Sequence, residues 1–344
     1  MTATAPVTDT VAQVERTDRT LQVVLIGGAL AALLPLALGP AQESVAIRVL
    51  IFALLGTGWN VMSGLGGMFS FGHAAYFGLG AYAAGYLLVE HDVSPWIGMV
   101  VGAVLAATFG VVTGFLALRY KLRGAYFALA TLAFAEMLRL FALNLDLTNK
   151  AIGLNVPLVR GSSWWKLQFP AGSSNYYWVG LGLTLLALVC VVLFMRSRMG
   201  QYALAVRDDE DAAASLGVDV MRVKLTTIAL SAAITAVAGT FYLQYYLFVN
   251  PDLVFGNSVS IQAILPAVVG GVGTVLGPIV GAMVLGPLAD LSAGLLRNPP
   301  PGLDFLQGRS GLDIMIYAAL LILIILVLPK GLYGSAREWR RNRR

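Results

Sequence analysis

The chain carries one cysteine, Cys190, and two histidines, His73 and His91, among 344 residues, and only 12% of its side chains are charged. A single cysteine excludes an intramolecular disulfide, and its place in an apolar run argues against redox chemistry. The two histidines stand in no H-E-x-x-H or other ligand spacing, so no metal site is expected. No G-x-x-x-x-G-K-[ST] occurs, which excludes a P-loop for nucleotide phosphates. The run Gly271 to Gly277 fails the G-x-G-x-x-G spacing and follows no strand, which removes the dinucleotide fingerprint. No G-x-S-x-G suggests a Ser-His-Asp site. The expectation is a chain with no catalytic residues and no cofactor of its own.

What is abundant is apolar surface. Hydrophobic residues make up 58% of the chain and the mean hydropathy is +0.78, whereas a soluble domain has about 25% charged residues. The 23 basic and 18 acidic residues cluster in a few loops and cannot furnish a charged surface for a soluble fold. The reading is an all-α polytopic membrane protein. A span needs about 20 apolar residues, and on that ruler about ten spans fall near 21–38, 45–63, 70–89, 95–118, 125–144, 177–195, 224–248, 260–274, 275–296 and 312–328. The first run is longer than a signal-peptide core and is read as a retained span. Residues 21–328 thus form the membrane domain, between a tail at 1–20 and a basic tail at 329–344.

Sixteen of the 23 Lys and Arg residues fall in 1–20, 119–124, 196–224 and 330–344, and six in the segments assigned to the other side. This asymmetry predicts that both termini are cytoplasmic. The net charge of +5 then reads as an orientation signal, and the ending Arg337-Glu338-Trp339-Arg340-Arg341-Asn342-Arg343-Arg344 as an inner-leaflet anchor, not a nucleic-acid site. The segment 145–176 becomes an external loop whose Trp164, Trp165, Tyr176, Tyr177 and Trp178 mark the membrane interface. Asn298 to Gly302, with three prolines, is a stiff external spacer.

Four features carry functional information. The stretch from Gly64 to Leu88, GLGGMFSFGHAAYFGLGAYAAGYLL, has seven glycines and one histidine and no Lys or Arg. It reads as a membrane helix thinned by glycine and broken near Gly64 to Gly67. A second glycine-broken region runs from Gly270 to Ala282. Interrupted apolar segments in corresponding parts of two halves point to a transport pathway, the alternative being ordinary small-residue helix packing. Candidate path residues are Phe69, Phe71, His73, Tyr76 and Phe77 with Gly270, Gly271 and Gly273. Within this set His73 is read as polar packing beside the path, not as a proton carrier. Glu136 and Arg139, three apart on one helical face, cost too much to face lipid, so they should pair, face another helix or face a wet cavity. Finally, the loop 196–224 has helix formers from Tyr202 to Leu216, with Gly217 at the terminating position and the acids Asp208 to Asp211 interrupting it. Either it is a solvated helical hairpin or it docks a partner, small residues such as Ala212 and Ala213 giving close approach and charges setting register.

These blocks, taken in order, resemble a known family. GMFSFGHAAYFGLGAY (Gly67 to Tyr82), LRGAYFALATLAFAE (Leu122 to Glu136), RDDEDAAASLG (Arg207 to Gly217), GGVGTVLGPIVGA (Gly270 to Ala282) and Pro329-Lys330-Gly331-Leu332 are similar to motifs of the LivM-type permeases of branched-chain amino-acid ABC transporters. The resemblance covers about residues 45 to 335. It implies a multi-pass subunit in the plasma membrane of a prokaryote, with broken helices in two related halves. Its implied partners are a second, LivH-type permease, two cytoplasmic ATPases (LivG- and LivF-type) that carry ATP and Mg, and an external solute-binding protein. Arg207, Asp208, Asp209, Glu210, Ala212, Ala213 and Gly217 would form the element that enters a groove on an ATPase. The implied solute is a branched-chain amino acid, or urea, an amide or an aromatic acid. One departure stands out: where the family commonly has Leu-Thr-Gly-Gly, this chain has Leu147-Thr148-Asn149-Lys150. The competing reading is a self-sufficient secondary transporter or channel.

Overall fold

The computed structural model describes residues 21–36, 38–159, 161–170, 172–297 and 331–332. The expected tenth span at 312–328, the proline-rich turn, the N-terminal tail and most of the basic C-terminal tail lie outside the described residues.

The described chain is almost entirely helical. An apolar segment Leu21–Leu36 (α1) is followed by α2 (Pro40–Trp59), whose first helical position is a proline and whose Gln42 side chain accepts the Gly39 N–H at 2.7 Å. Proline is favoured there because its missing N–H would have no helical partner anyway. Then come α3 (His73–His91), α4 (Pro95–Arg119), α5 (Ala125–Asn144) and α6 (Asn175–Arg196). Two short helices, α7 (Arg198–Asp208) and α8 (Glu210–Ser215), lead into the long α9 (Val220–Tyr246). The short α10 (Pro251–Phe255), α11 (Asn257–Gly270) and α12 (Gly277–Arg297) complete the described fold. A two-residue antiparallel ladder joins β1 (Leu154–Asn155) to β2 (Phe248–Val249), tying the long loop after α5 to the end of α9.

Among the described residues six helical segments are long and apolar enough to cross a membrane: Pro40–Leu65, Pro95–Arg119, Ala125–Asn144, Asn175–Arg196, Val220–Tyr246 and Pro251–Gly270. Expected and observed bounds agree within a few residues except at the eighth span, which begins at Pro251 and not near 260. The third expected span, α3, is helical but is not among the six. Its composition of Gly, Ala and aromatics answers to a different environment, for nearly every residue from His73 to Gly85 is buried against other helices. A helix surrounded by protein needs small residues for close approach more than it needs hydropathy.

Packing divides into two three-helix clusters. In one, α9 contacts α3 and α4, which also contact each other; in the other, α2 contacts α11 and α12, which again contact each other; α2 and α9 join the two. The contacts are close because small residues face each other. A Cβ added at Gly80 would sit 2.0 Å from the Ala236 carbonyl oxygen, and one at Gly239 would sit 2.0 Å from that of Phe77. Thr240 Oγ1 donates to the Gly80 carbonyl at 2.9 Å across the same seam. Arg48, which the charge count placed outside the membrane, lies within α2, where Asp290 of α12 pairs with it at 2.8 Å.

Candidate functional site

The site is built where two helices stop. The last turns of α2 widen into a π-helical turn over Asn60–Leu65, and Gly67, at φ +69°, then turns the chain back toward α3. Insertions of this kind concentrate at functional positions. At the second break, α11 ends at Gly270, and Gly271 and Gly273 take φ values of +128° and +77°, a region closed to most side chains.

The structure brings these two breaks together. Asn60 Nδ2 donates to the Thr274 carbonyl at 2.8 Å, and the Gly273 N–H donates to Asn60 Oδ1 at 2.8 Å. A Cβ on Gly64 would lie 2.6 Å from the Gly273 nitrogen, so the chains touch backbone to backbone. Asn60 is buried and was not singled out from the sequence. An asparagine before a glycine-rich stretch carries no local signal that it will bridge to residue 274.

The segment with the acidic run, α7 and α8, sits against this junction. Asp209 ends α7 and caps α8, its side chain accepting the N–H groups of Asp211 and Ala212 at 3.0 and 2.9 Å. The helix formers are interrupted in the acidic run, as expected, because a side-chain carboxylate competes for the backbone donors. Gly217 takes φ +85°, as its expected role at the helix end requires. Arg207 turns inward. Its Nη1 donates to the Gly64 carbonyl at 3.3 Å, its stem lies against Gly67, and Asp208 Oδ1 receives its Nε and Nη2 at 3.0 and 2.9 Å. Glu210 is likewise engaged within the chain, 2.6 Å from Lys224 and 3.5 Å from Arg123. Ala213 is buried. The exposed residues of this segment include Asp208, Asp209, Asp211, Ala212, Ala214, Ser215 and Leu216, the last a large apolar side chain 86% exposed.

The aromatic path candidates divide. Phe69 is 42% exposed and stands edge-on to Trp59 and Phe71, with ring centroids 5.3 and 5.2 Å away. Tyr76 and Phe77 are buried, Phe77 edge-on to Tyr242 at 5.4 Å, so both act as packing between helices. His73 is buried at the start of α3. Its Nε2 lies 3.0 Å from Ser231 Oγ, which itself reaches the Gly58 carbonyl at 2.6 Å. The serine hydrogen is spent on that carbonyl, so Ser231 accepts from His73 and the imidazole carries its proton on Nε2. One chain of bonds thus links α3, α9 and α2 at the break.

Glu136 and Arg139 pair as the spacing requires. Arg139 Nε reaches the two Glu136 oxygens at 3.1 and 3.0 Å and Nη2 reaches Oε1 at 2.5 Å. The third member, Asp252 of α10, receives Nη1 at 2.5 Å and was not foreseen. The departure at 149–150 has a conformational consequence, since Asn149 and Lys150 both adopt positive φ, +56° and +52°. Glycine does so without strain, asparagine readily and lysine at a cost. Neither the apolar cavity of about 930 Å³ between α1, α2, α6 and α12 nor the groove of about 700 Å³ beside β1 is lined by a path candidate. Among the described residues no three His, Cys, Asp or Glu side chains could hold a metal ion.

Helices of this length and hydropathy, with buried glycine breaks joined across the bundle, define a multi-pass membrane protein. Residues 41–328 match the family described as branched-chain amino acid transport system, permease component, and the chain belongs to that family. It is 29% identical to the permease protein LivM of the Escherichia coli high-affinity branched-chain amino acid transport system, over 88% of this chain and 72% of that one. It is 28% identical to the permease LivH of the same organism, over 82% of this chain and 91% of the relative. The BraD permease of Pseudomonas aeruginosa is 27% identical over the same shares.

Proposed function

We propose that this chain is one of two membrane subunits of an ATP-driven importer and forms half of the path for a branched-chain amino acid or a similar small polar solute such as urea, an amide or an aromatic acid. Its relatives include both LivM and LivH permeases, which supports a second, homologous permease as the partner in the membrane. ATP and Mg belong in this reading to two cytoplasmic ATPases, and solute capture to an external binding protein. The observation that carries the reading is the placement of α7 and α8: an exposed Leu216 and Ala212 on one side, and Arg207 against the joined glycine breaks on the other. A docking element in contact with the helix breaks can pass movement from an ATPase to the path.

The two-half architecture of about ten spans belongs to the same proposal. Exchanging α2 with α9, α3 with α11 and α4 with α12 maps one three-helix cluster onto the other. The helix starts support it as well, since Phe71-Gly72-His73 opens α3 and Phe255-Gly256-Asn257 opens α11. The basic residues of the α4–α5 turn and of the α7–α9 region support a cytoplasmic location for that end of the bundle and, in this reading, for both termini.

Reconstitution tests the function. The purified chain alone in liposomes should take up no labelled leucine under a proton or sodium gradient. With its co-encoded permease, ATPases and binding protein it should do so on addition of ATP. Gradient-driven uptake by the chain alone would replace the importer reading with a secondary transporter or channel.

A further inference from the structure

We propose that Arg207 is the positioning residue that links ATPase docking to the glycine-broken ends of the path, holding them closed until α8 moves; this rests on the importer reading above.

Three observations meet at this side chain. It lies at the end of α7, two residues before Asp209 leaves helical geometry with φ −155° and ψ 108°. It also occupies the joint between the two breaks. Nη1 is 3.3 Å from the Gly64 carbonyl, and a Cβ built on Gly273 would lie 3.4 Å from the same nitrogen. The stem fills the space over Gly67 so closely that a Cβ there would come within 2.7 Å of Arg207 Cγ. Asp208 Oδ1 receives Nε and Nη2, which leaves Nη1 to reach the Gly64 carbonyl.

The chemistry suits a releasable contact. Carbonyls at the C-terminal end of α2 lack helical partners and carry the negative end of the helix dipole, so a cation placed there is held by charge and by one hydrogen bond. That hold is strong enough to fix two loops and weak enough to break when a partner draws α8 outward. The pull is directed, since α8 is itself fastened through Glu210 to Lys224 of α9 and to Arg123. A displacement of α8 that carries the α7–α8 joint with it draws Arg207, two residues from that joint's cap at Asp209, away from Gly64.

A plain helix-capping role would affect stability alone, so the test reads coupling. In the reconstituted complex of both permeases, the ATPases and the binding protein, uptake per ATP hydrolysed is measured for wild type, Arg207→Ala, Arg207→Met and Arg207→Lys. The wild-type complex must bring the ATPases through purification and drive uptake; failure there refutes the importer reading and not the role of Arg207. The expected result is about a tenfold fall in uptake per ATP for Ala and for Met. The Met variant keeps the stem over Gly67 and should co-purify with the ATPases as wild type does. Lys, which can still donate to the Gly64 carbonyl, should recover most of the ratio. Wild-type coupling in the Met variant would overturn the proposal, and so would loss of all three variants from the membrane, which would make Arg207 a folding residue.

Discussion

Replacing Asn60 by alanine should loosen the junction of the two glycine breaks more than any other single polar truncation in the bundle. The side chain makes two hydrogen bonds to backbone groups of the other break, each 2.8 Å, and is 2% exposed. Hydrogen bonds between helices in membranes average about 0.6 kcal/mol and reach about 1.7. Two such bonds, with the Gly273 N–H and the Thr274 carbonyl left buried without partners, give a loss of about 1–3 kcal/mol. Asn60→Asp keeps the acceptor for Gly273 but turns a carboxylate oxygen toward the Thr274 carbonyl, and should cost at least as much. The assay is unfolding in mixed micelles of rising SDS content, followed by tryptophan fluorescence, since Trp59 adjoins the site. Gly64→Ala attacks the same contact from the next turn of the same helix, its Cβ falling 2.1 Å from Asn60 Oδ1. The double variant Asn60→Ala with Gly64→Ala should therefore be less destabilised than the sum of the singles, because shortening Asn60 removes the nearest clash. Stability of Asn60→Ala within about 0.5 kcal/mol of wild type, or strict additivity of the pair, would refute the bridging role.

Three further outcomes are expected. Leu216→Asp, at a side chain 86% exposed, should leave stability within about 0.5 kcal/mol while reducing co-purification of the ATPases; full retention of them would move the docking surface elsewhere. Glu136→Gln removes the charge that holds Arg139 Nε and Nη2 and should lower the unfolding free energy by about 1 kcal/mol, with Asp252→Asn coupled to it in a double-mutant cycle. An unchanged midpoint for Glu136→Gln would mean that Asp252 alone suffices. Lys150→Gly relieves a positive φ of +52° and gives up only a surface pair with Asp146 at 2.8 Å. Left-handed geometry costs a non-glycine residue about 1 kcal/mol and an exposed pair returns less, so thermal stability in detergent should hold or rise; a drop would show that the ion pair organises the loop.

Much of the molecule was decided by local sequence. Hydropathy and length set the membrane class and most helix bounds, because the bilayer imposes one requirement on every span irrespective of its neighbours. Spacing alone brought Glu136 and Arg139 onto one face, and Gly217 took the left-handed conformation that its place after a helix called for. The break at Asp209 was also within reach, since four acids in a row offer carboxylates to backbone donors. Hydropathy failed at α3, whose glycines and alanines serve contacts with α9 and α4 that only the assembled bundle defines.

What only the tertiary structure decided lies in contacts between distant residues. Asn60 meets Thr274 across 214 positions of chain, His73 meets Ser231 across 158, and Arg139 meets Asp252 across 113. No periodicity announces such partners. The same holds for the aromatics, where Phe69 emerges at the surface while Tyr76 and Phe77, on the next turns of the same motif, are enclosed between helices. The sequence by itself determined that the chain would have two glycine breaks and a charged helical element between its spans. That the breaks touch, and that Arg207 lies on them, follows from how α2, α9 and α11 pack, because small residues let backbones meet wherever the bundle brings them together.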